Sequence, residues 1–472
     1  MIFNSLTFIL ICFIPSTLCT LFIEKFGKGK NRIKLQNAVL LFFSLLFFAW
    51  SGTQHIKVLL FLIFANYIFG CLKNKAKPAL LIGVAVNLAV LVYFKYPYQI
   101  AEVFNRVFER EFAAWDIIAP LGISFIVFQA ISYLMDLYNN RAEVCTNFLD
   151  FALYMSFFPK LSQGPIVKYQ DMEAQLKERE IRFDPFVKGV ERFIVGVSKK
   201  VLIGDILADT YSQIFYNIEL GIGIDAGTAW IAVISYAFGL YMDFSGYSDM
   251  AIGMAGMFGF EFKENFNFPY LSTSITEFWR RWHISLGAWF REYLYFPLGG
   301  SRKGNVYVNL FLVFLATGIW HGAGGQYLLW GAVHGGCVVA ERYMMKKSWY
   351  EKIPAVIRWA ATFLIISLGW IAFYAGGVSE CQEFLSYLIG EGTAGSFSAV
   401  YFMTPKLVFL WAAVAIGMVV FSRRTVQERL IYWDGHSGVF NVFKYVFLLG
   451  MVYLCFITTI SEGYTPFLYF QF

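Results

Sequence analysis

Three of the chain's five histidines, His283, His321 and His334, fall between Ser274 and Gly336. His321 has the clearest chemical setting. It follows an apolar run from Val306 to Ile319 and sits in Gly318-Ile-Trp-His-Gly-Ala323. An ionisable side chain at the end of a membrane-type segment is costly unless it is paired or used. A neutral imidazole is well matched to taking a proton near neutral pH. Gly318, Gly322, Gly324 and Gly325 leave the backbone open to a close-lying substrate. These residues suit general-base activation of an attacking group. They are equally compatible with a histidine satisfied by a neighbouring carbonyl or serine.

His283 lies in Ser274-Ile-Thr-Glu-Phe-Trp-Arg-Arg-Trp-His-Ile-Ser-Leu286. The Ser274/Glu277 pair matches a capping box and predicts a helix from about Ile275 to Tyr295, with Trp279, His283 and Gly287 on one face. The plainer alternative is an interface-lying helix whose histidine bonds locally. His334 reads as structural on the next helix, or as support for the site. Asp243 and Asp249 flank a Ser-Gly-Tyr segment: intramembrane carboxylates suit an ion or proton path, but capping a turn explains them more simply. His283 and His321 lie 38 residues apart with no His or Cys pair at ligand spacing, which argues against zinc. Neither a Gly-x-Ser-x-Gly elbow nor a Walker A loop occurs. The seven cysteines form no C-x-x-C pair, and most read as small buried hydrophobes.

The elements that must position these groups are membrane helices. Of the 472 residues, 58% are hydrophobic and only 15% charged, and apolar runs recur along the chain. The net charge of +6 is gathered in a few loops, as the positive-inside rule requires, and forms no nucleic-acid-binding face. Spans are predicted near Leu6–Ile23, Leu35–Trp50, Val58–Cys71, Ala79–Tyr93, Ile117–Met135, Trp230–Phe244, Leu328–Ala340, Ala355–Tyr374, Leu407–Phe421 and Val442–Ile460. Phe151 to Phe158, broken by Pro159 and Pro165, predicts a re-entrant piece. Asp171–Arg182 predicts a surface helix, and Phe186–Ala208 a tilted helix with snorkelling lysines at Lys199 and Lys200. Met250 to Phe260 reads as another short piece. Lysines around Lys28 and Lys75 predict cytoplasmic loops, whereas the Gly376–Thr404 loop has acids and no Lys or Arg. Both termini are therefore expected outside, with the first helix retained.

Several long motifs resemble the membrane-bound O-acyltransferases, most closely the bacterial branch that acetylates alginate. They include Asp243-Phe-Ser-Gly-Tyr-Ser-Asp249, the Ser274–Leu286 stretch, Pro297-Leu-Gly-Gly-Ser-Arg-Lys-Gly304, Trp320-His-Gly-Ala323, Phe157-Phe-Pro-Lys-Leu-Ser-Gln-Gly-Pro165 and the terminal Phe467-Leu-Tyr-Phe-Gln-Phe472. The resemblance implies one all-α polytopic domain over residues 1–472, with about 11 transmembrane helices plus re-entrant and interfacial helices around a central funnel. It makes His321 the essential histidine and His283 its polar companion. Trp320, Trp282, Arg281, Asp243 and Ser245 are expected to contact substrate. It implies acetyl transfer from a cytoplasmic donor, acetyl-CoA, across a bacterial inner membrane to an exported polysaccharide such as alginate. A periplasmic or membrane-anchored acetyltransferase partner would finish the transfer. No cofactor, metal or nucleic acid is expected. Where the alginate enzymes carry a bulkier stretch, this chain has Gly324-Gly325-Gln326, which leaves the acceptor open. The alternatives are D-alanyl or other acyl transfer, and a transporter or scaffold of a secretion complex.

Overall fold

A computed structural model of the chain describes residues 3–110, 118–391, 398–423, 426, 438–463 and 467. Every regular element among them is helical. Five helices are long and apolar enough to cross a membrane: Leu6–Phe26, Gly29–Ala49, Thr53–Cys71, Ala355–Tyr374 and Asn441–Ser461. Ala79–Lys95 and Pro97–Phe108, bent by 93° at Tyr96, would add a sixth as one broken span. Three shorter apolar helices are Ile123–Tyr138, Val306–His321 and Pro405–Phe421. The predicted start of one span at Ile117, His436, residues 392–397 of the acidic loop and most of the terminal Phe467–Phe472 motif lie outside the described residues.

The surfaces of these helices identify their solvent. Leu18, Phe22, Phe42, Phe64, Phe447 and Leu449 are each more than half exposed. So many bare aromatic and aliphatic side chains on long helices belong against lipid tails.

The chain forms two compact units, residues 1–193 with 247–263, and residues 194–246 with 264–472. In the first, Asn66 and Asn87 exchange side-chain hydrogen bonds of 3.1 and 2.7 Å between neighbouring helices. Such a reciprocal amide pair satisfies polar groups that lipid cannot. The predicted re-entrant piece is two short helices, Phe148–Ser156 and Phe158–Leu161, broken at Phe157. Residues 151–167 are buried without interruption, so the irregular backbone is covered by protein. Lys160 is fully buried there, donating to Gln129 and lying 4.0 Å from the Tyr154 ring centre.

Two expectations fail at the next elements. The Asp243–Asp249 segment is not a turn: one 32-residue helix runs from Ala226 to Met257. Its Ser and Gly residues were misread because helix-breaking propensity yields to tertiary packing, and here glycine is what the packing needs. In the first unit a Cβ on Gly253 would stand 2.6 Å from the Gly189 carbonyl oxygen; in the second, one on Gly246 would stand 2.7 Å from that of Gly196. The second failure is Lys200. The tilted helix is Phe183–Ser198, a π-helical turn Lys199–Gly204 and Asp205–Glu219. Lys200 does not snorkel. It is fully buried, bonded to Asp205 and 2.8 Å from Asp243.

The glycine contact yields a prediction. Gly253→Val forces backbone apart at a van der Waals limit and should destabilise by about 3 kcal/mol or more, seen as lost membrane abundance and a lower melting temperature. Gly336→Ala, where nothing lies within 4 Å of the added carbon, should leave both unchanged.

Candidate active site

The site begins with a short helix whose start is fixed from outside. Ser274 caps Ile275–Arg281 by accepting from the Glu277 amide at 3.0 Å. The expected return bond goes one residue further back, from the Thr273 amide to Glu277 Oε2 at 2.9 Å. Buried Glu341, on the Gly325–Met344 helix, accepts from the Ile275 and Thr276 amides, each at 2.8 Å. A carboxylate here satisfies free N–H groups and complements the helix dipole.

The helix does not continue to Tyr295. It stops at Arg281, and Ile284–Phe290 starts afresh, followed by a π turn over Arg291–Tyr295. Between them His283 takes a left-handed conformation, φ 43°. The predicted shared face of Trp279, His283 and Gly287 is therefore absent. Such a backbone is strained for a residue with a side chain, and strain of this kind gathers at functional sites. The break is repaired by Asn265. Its carbonyl accepts from the Ile284 amide at 2.9 Å, and its side-chain oxygen accepts from the Ser285 hydroxyl at 2.9 Å. The same oxygen lies 3.1 Å from His283 Nδ1, which fixes Nδ1 as the protonated nitrogen. Phe244 meets the imidazole edge-to-face at 4.9 Å. Burial pushes the His283 pKa down to about 3, so the ring is neutral at any physiological pH.

His321 is the last residue of Val306–His321 and is 6% exposed. Its ring stands edge-on to Phe373 at 4.8 Å and Trp330 at 5.3 Å, with Trp320 at 4.7 Å. A run of rings joins it to the residue before His283: Phe373 to Trp370 at 5.5 Å, then Trp370 to Trp282 at 4.9 Å. His334 belongs to the same cluster, 5.0 Å from Trp330 and 5.3 Å from Trp279. An apolar, aromatic wall with a few polar atoms is the usual form of a small-molecule site.

The other expected residues divide. Trp320 and Trp282 line this cluster. Arg281 pairs with Glu277 at 2.6 Å and stays about one-third exposed, a weak i,i+4 pair. Ser245 is buried with no hydrogen-bond partner for its hydroxyl among the described residues. Asp243 is committed to the buried Lys200, beside Asp205. From the sequence Lys200 was read only as a snorkelling lysine, and Asp205 was not picked out. The signal was a lysine and an aspartate five apart in an apolar run, a spacing that shares a face only in a π turn, where the Asp205 amide bonds the Lys200 carbonyl. Among the described residues no group of His, Cys, Asp and Glu is arranged to hold a metal.

The model of the membrane-bound O-acyltransferase family matches residues 142–375, which contain all three clustered histidines and the Lys200 network. The chain is 36% identical to the probable alginate O-acetylase AlgI of Pseudomonas putida, covering 93% of this chain and 95% of that one. It is 34% identical to the peptidoglycan O-acetyltransferase of Helicobacter pylori over 74% of this chain and 72% of the relative. It is 27% identical to the teichoic acid D-alanyltransferase of Bacillus subtilis over 53% and 66%. With described elements that are all helical and several helices apolar enough to cross a membrane, this multi-pass membrane protein belongs to the membrane-bound O-acyltransferase family.

Proposed function

We propose that this enzyme moves an acetyl group from cytoplasmic acetyl-CoA across the bacterial inner membrane toward hydroxyls of an exported polysaccharide. One observation carries the reading: a buried histidine at the end of an apolar helix, enclosed by three aromatic rings. Relatives named for alginate and peptidoglycan O-acetylation support the acyl group and the polymeric acceptor. We take the whole chain as one acyltransferase domain, with no cofactor. A periplasmic or membrane-anchored acetyltransferase completes delivery to the polymer.

In this mechanism His321 takes the proton of the attacking hydroxyl as its oxygen bonds to the thioester carbonyl carbon. The carbon–sulfur bond then breaks, and the thiolate leaves with the proton that His321 returns. Water is excluded by the Trp320, Trp330 and Phe373 rings, which strengthens each polar interaction inside. Neutral His283 gives its Nδ1 proton to Asn265 and so presents Nε2 as a hydrogen-bond acceptor, which orients an O–H or N–H group of the substrates. Trp282 and Trp320 form the apolar wall for the donor, Ser245 offers a free hydroxyl to substrate, and Arg281 and Asp243 hold charge at the margins.

Replacing the base should separate chemistry from folding. His321→Ala should accumulate normally and make polymer that is nearly acetate-free, since losing a general base costs about 10²- to 10⁴-fold. The measurement is acetyl per unit polymer, normalised to the protein in the membrane. A ratio within about twofold of wild type would refute the mechanism.

His283→Gln should slow transfer without loss of protein. Because His283 is neutral above a pKa of about 3, the acid limb of the rate profile between about pH 5 and 8 belongs to another group. The variant should therefore keep that limb in place and lower only its height. A limb that moves would show His283 to titrate there.

Orientation is tested by labelling. In a background lacking the seven native cysteines, an impermeant reagent added outside should modify a cysteine at Ser398 and spare one at Lys28. The opposite pattern would invert the topology and place both termini inside.

A further inference from the structure

Next to His321, in contact with the same Trp330 ring, is a group of polar atoms that the proposed chemistry leaves unused. His334 is 1% exposed, and neither of its ring nitrogens has a hydrogen-bond partner among the described residues. The same is true of Trp279 Nε1 and Trp330 Nε1. These three side chains are in mutual ring contact: Trp279 to Trp330 at 5.4 Å, Trp279 to His334 at 5.3 Å and Trp330 to His334 at 5.0 Å. Gly369 makes room for them, since a Cβ there would stand 2.2 Å from His334 Nε2. Buried polar atoms are rarely left alone, and four in one cluster would weigh heavily on a marginally stable fold. Each indole is a donor only, and a neutral imidazole offers one donor and one acceptor. Three donors against one acceptor call for a guest that mainly accepts. The Trp282, Trp370 and Phe373 rings pack around the cluster, and such apolar surroundings disfavour a charged guest.

We propose that Trp279, Trp330 and His334 form a receptor for one small hydrogen-bond-accepting oxygen, and that His334 thereby acts as a positioning residue for acyl transfer. The oxygen is either a resident water or the carbonyl of the transferred acyl group, which present the same lone pairs. Its bonds fix the Trp330 ring, and that ring is one wall of the His321 imidazole. The inference rests on the reading of His321 as the base.

Two measurements test it together. The first is a high-resolution map of the full-length protein in lipid nanodiscs, with and without acetyl-CoA. Density bridging Trp279 Nε1, Trp330 Nε1 and His334 in donor-free protein identifies water; density only with acetyl-CoA identifies the acyl carbonyl. A dry cluster in both maps overturns the proposal. The second compares His334→Phe, which keeps a ring and removes both nitrogens, with His334→Gln, which keeps a donor and an acceptor. Phe should lower acetyl transfer per membrane protein by about tenfold or more, and Gln should stay within about threefold of wild type. Equal activity in the two variants overturns the positioning role. His321→Ala, run alongside, separates the failures. If it transfers normally the base assignment falls, whereas an inactive His321→Ala beside a fully active His334→Phe removes this inference alone.

Discussion

The site depends on one carboxylate meeting one helix end. Glu341 holds the Ile275 and Thr276 amides at 2.8 Å, and the seven-residue helix they begin carries Trp279 and leads directly into Trp282 and His283. A helix this short has no stability of its own. The Ile275 amide is buried and the Thr276 amide partly so; without Glu341 both would lose this partner and the helix its hold on its place. Ser274 and Glu277 set the local geometry, but the long-range anchor ties this element to the Gly325–Met344 helix, which also carries Trp330 and His334. One acidic residue thus brings together the two segments that supply most of the aromatic cluster.

Backbone irregularity marks the polar residues of this unit. His283 sits at a helix break, Lys200 and Asp205 at a π turn, and His321 at a helix end before Gly322. Each irregularity exposes a side chain or a backbone group that a regular helix would hide. The first two are also repaired by specific partners: Asn265 at the first, and the ion pairs with Asp205 and Asp243 at the second. In an apolar surround such repair is a requirement rather than a refinement.

Much of this was legible in the sequence. Uninterrupted apolar runs gave the long helices, because burying backbone polar groups in lipid leaves the helix as the default. His321 stood out because its imidazole ends such a run. The capping box placed the start of the Ile275 helix correctly, since caps act within one turn. The failures share a physical cause. The Ala226–Met257 helix, the Lys200 network and the break before His283 are decided by contacts between residues distant in sequence. Gly246 is in a helix because Gly196 lies against it, and Lys200 is buried because Asp243 is there to meet it. No window of neighbouring residues carries that information. Glu341 was invisible for the same reason, as its partners are more than 60 residues away.

The length of the Ala226–Met257 helix has a mechanical consequence. At 1.5 Å per residue its 32 residues extend about 48 Å, well beyond a hydrocarbon layer of about 30 Å. An untilted rod of that length must leave the lipid interior at one end or both. Near its middle, adjacent residues serve two different neighbours: Asp243 meets the buried Lys200, while Phe244 lies edge-on to His283. Successive side chains on a helix point about 100° apart, so one stiff rod couples an ion pair on one flank to a strained histidine on another. Sliding or rotating the rod to ease either contact displaces the other, which makes the buried charge and the His283 ring share a single positional coordinate.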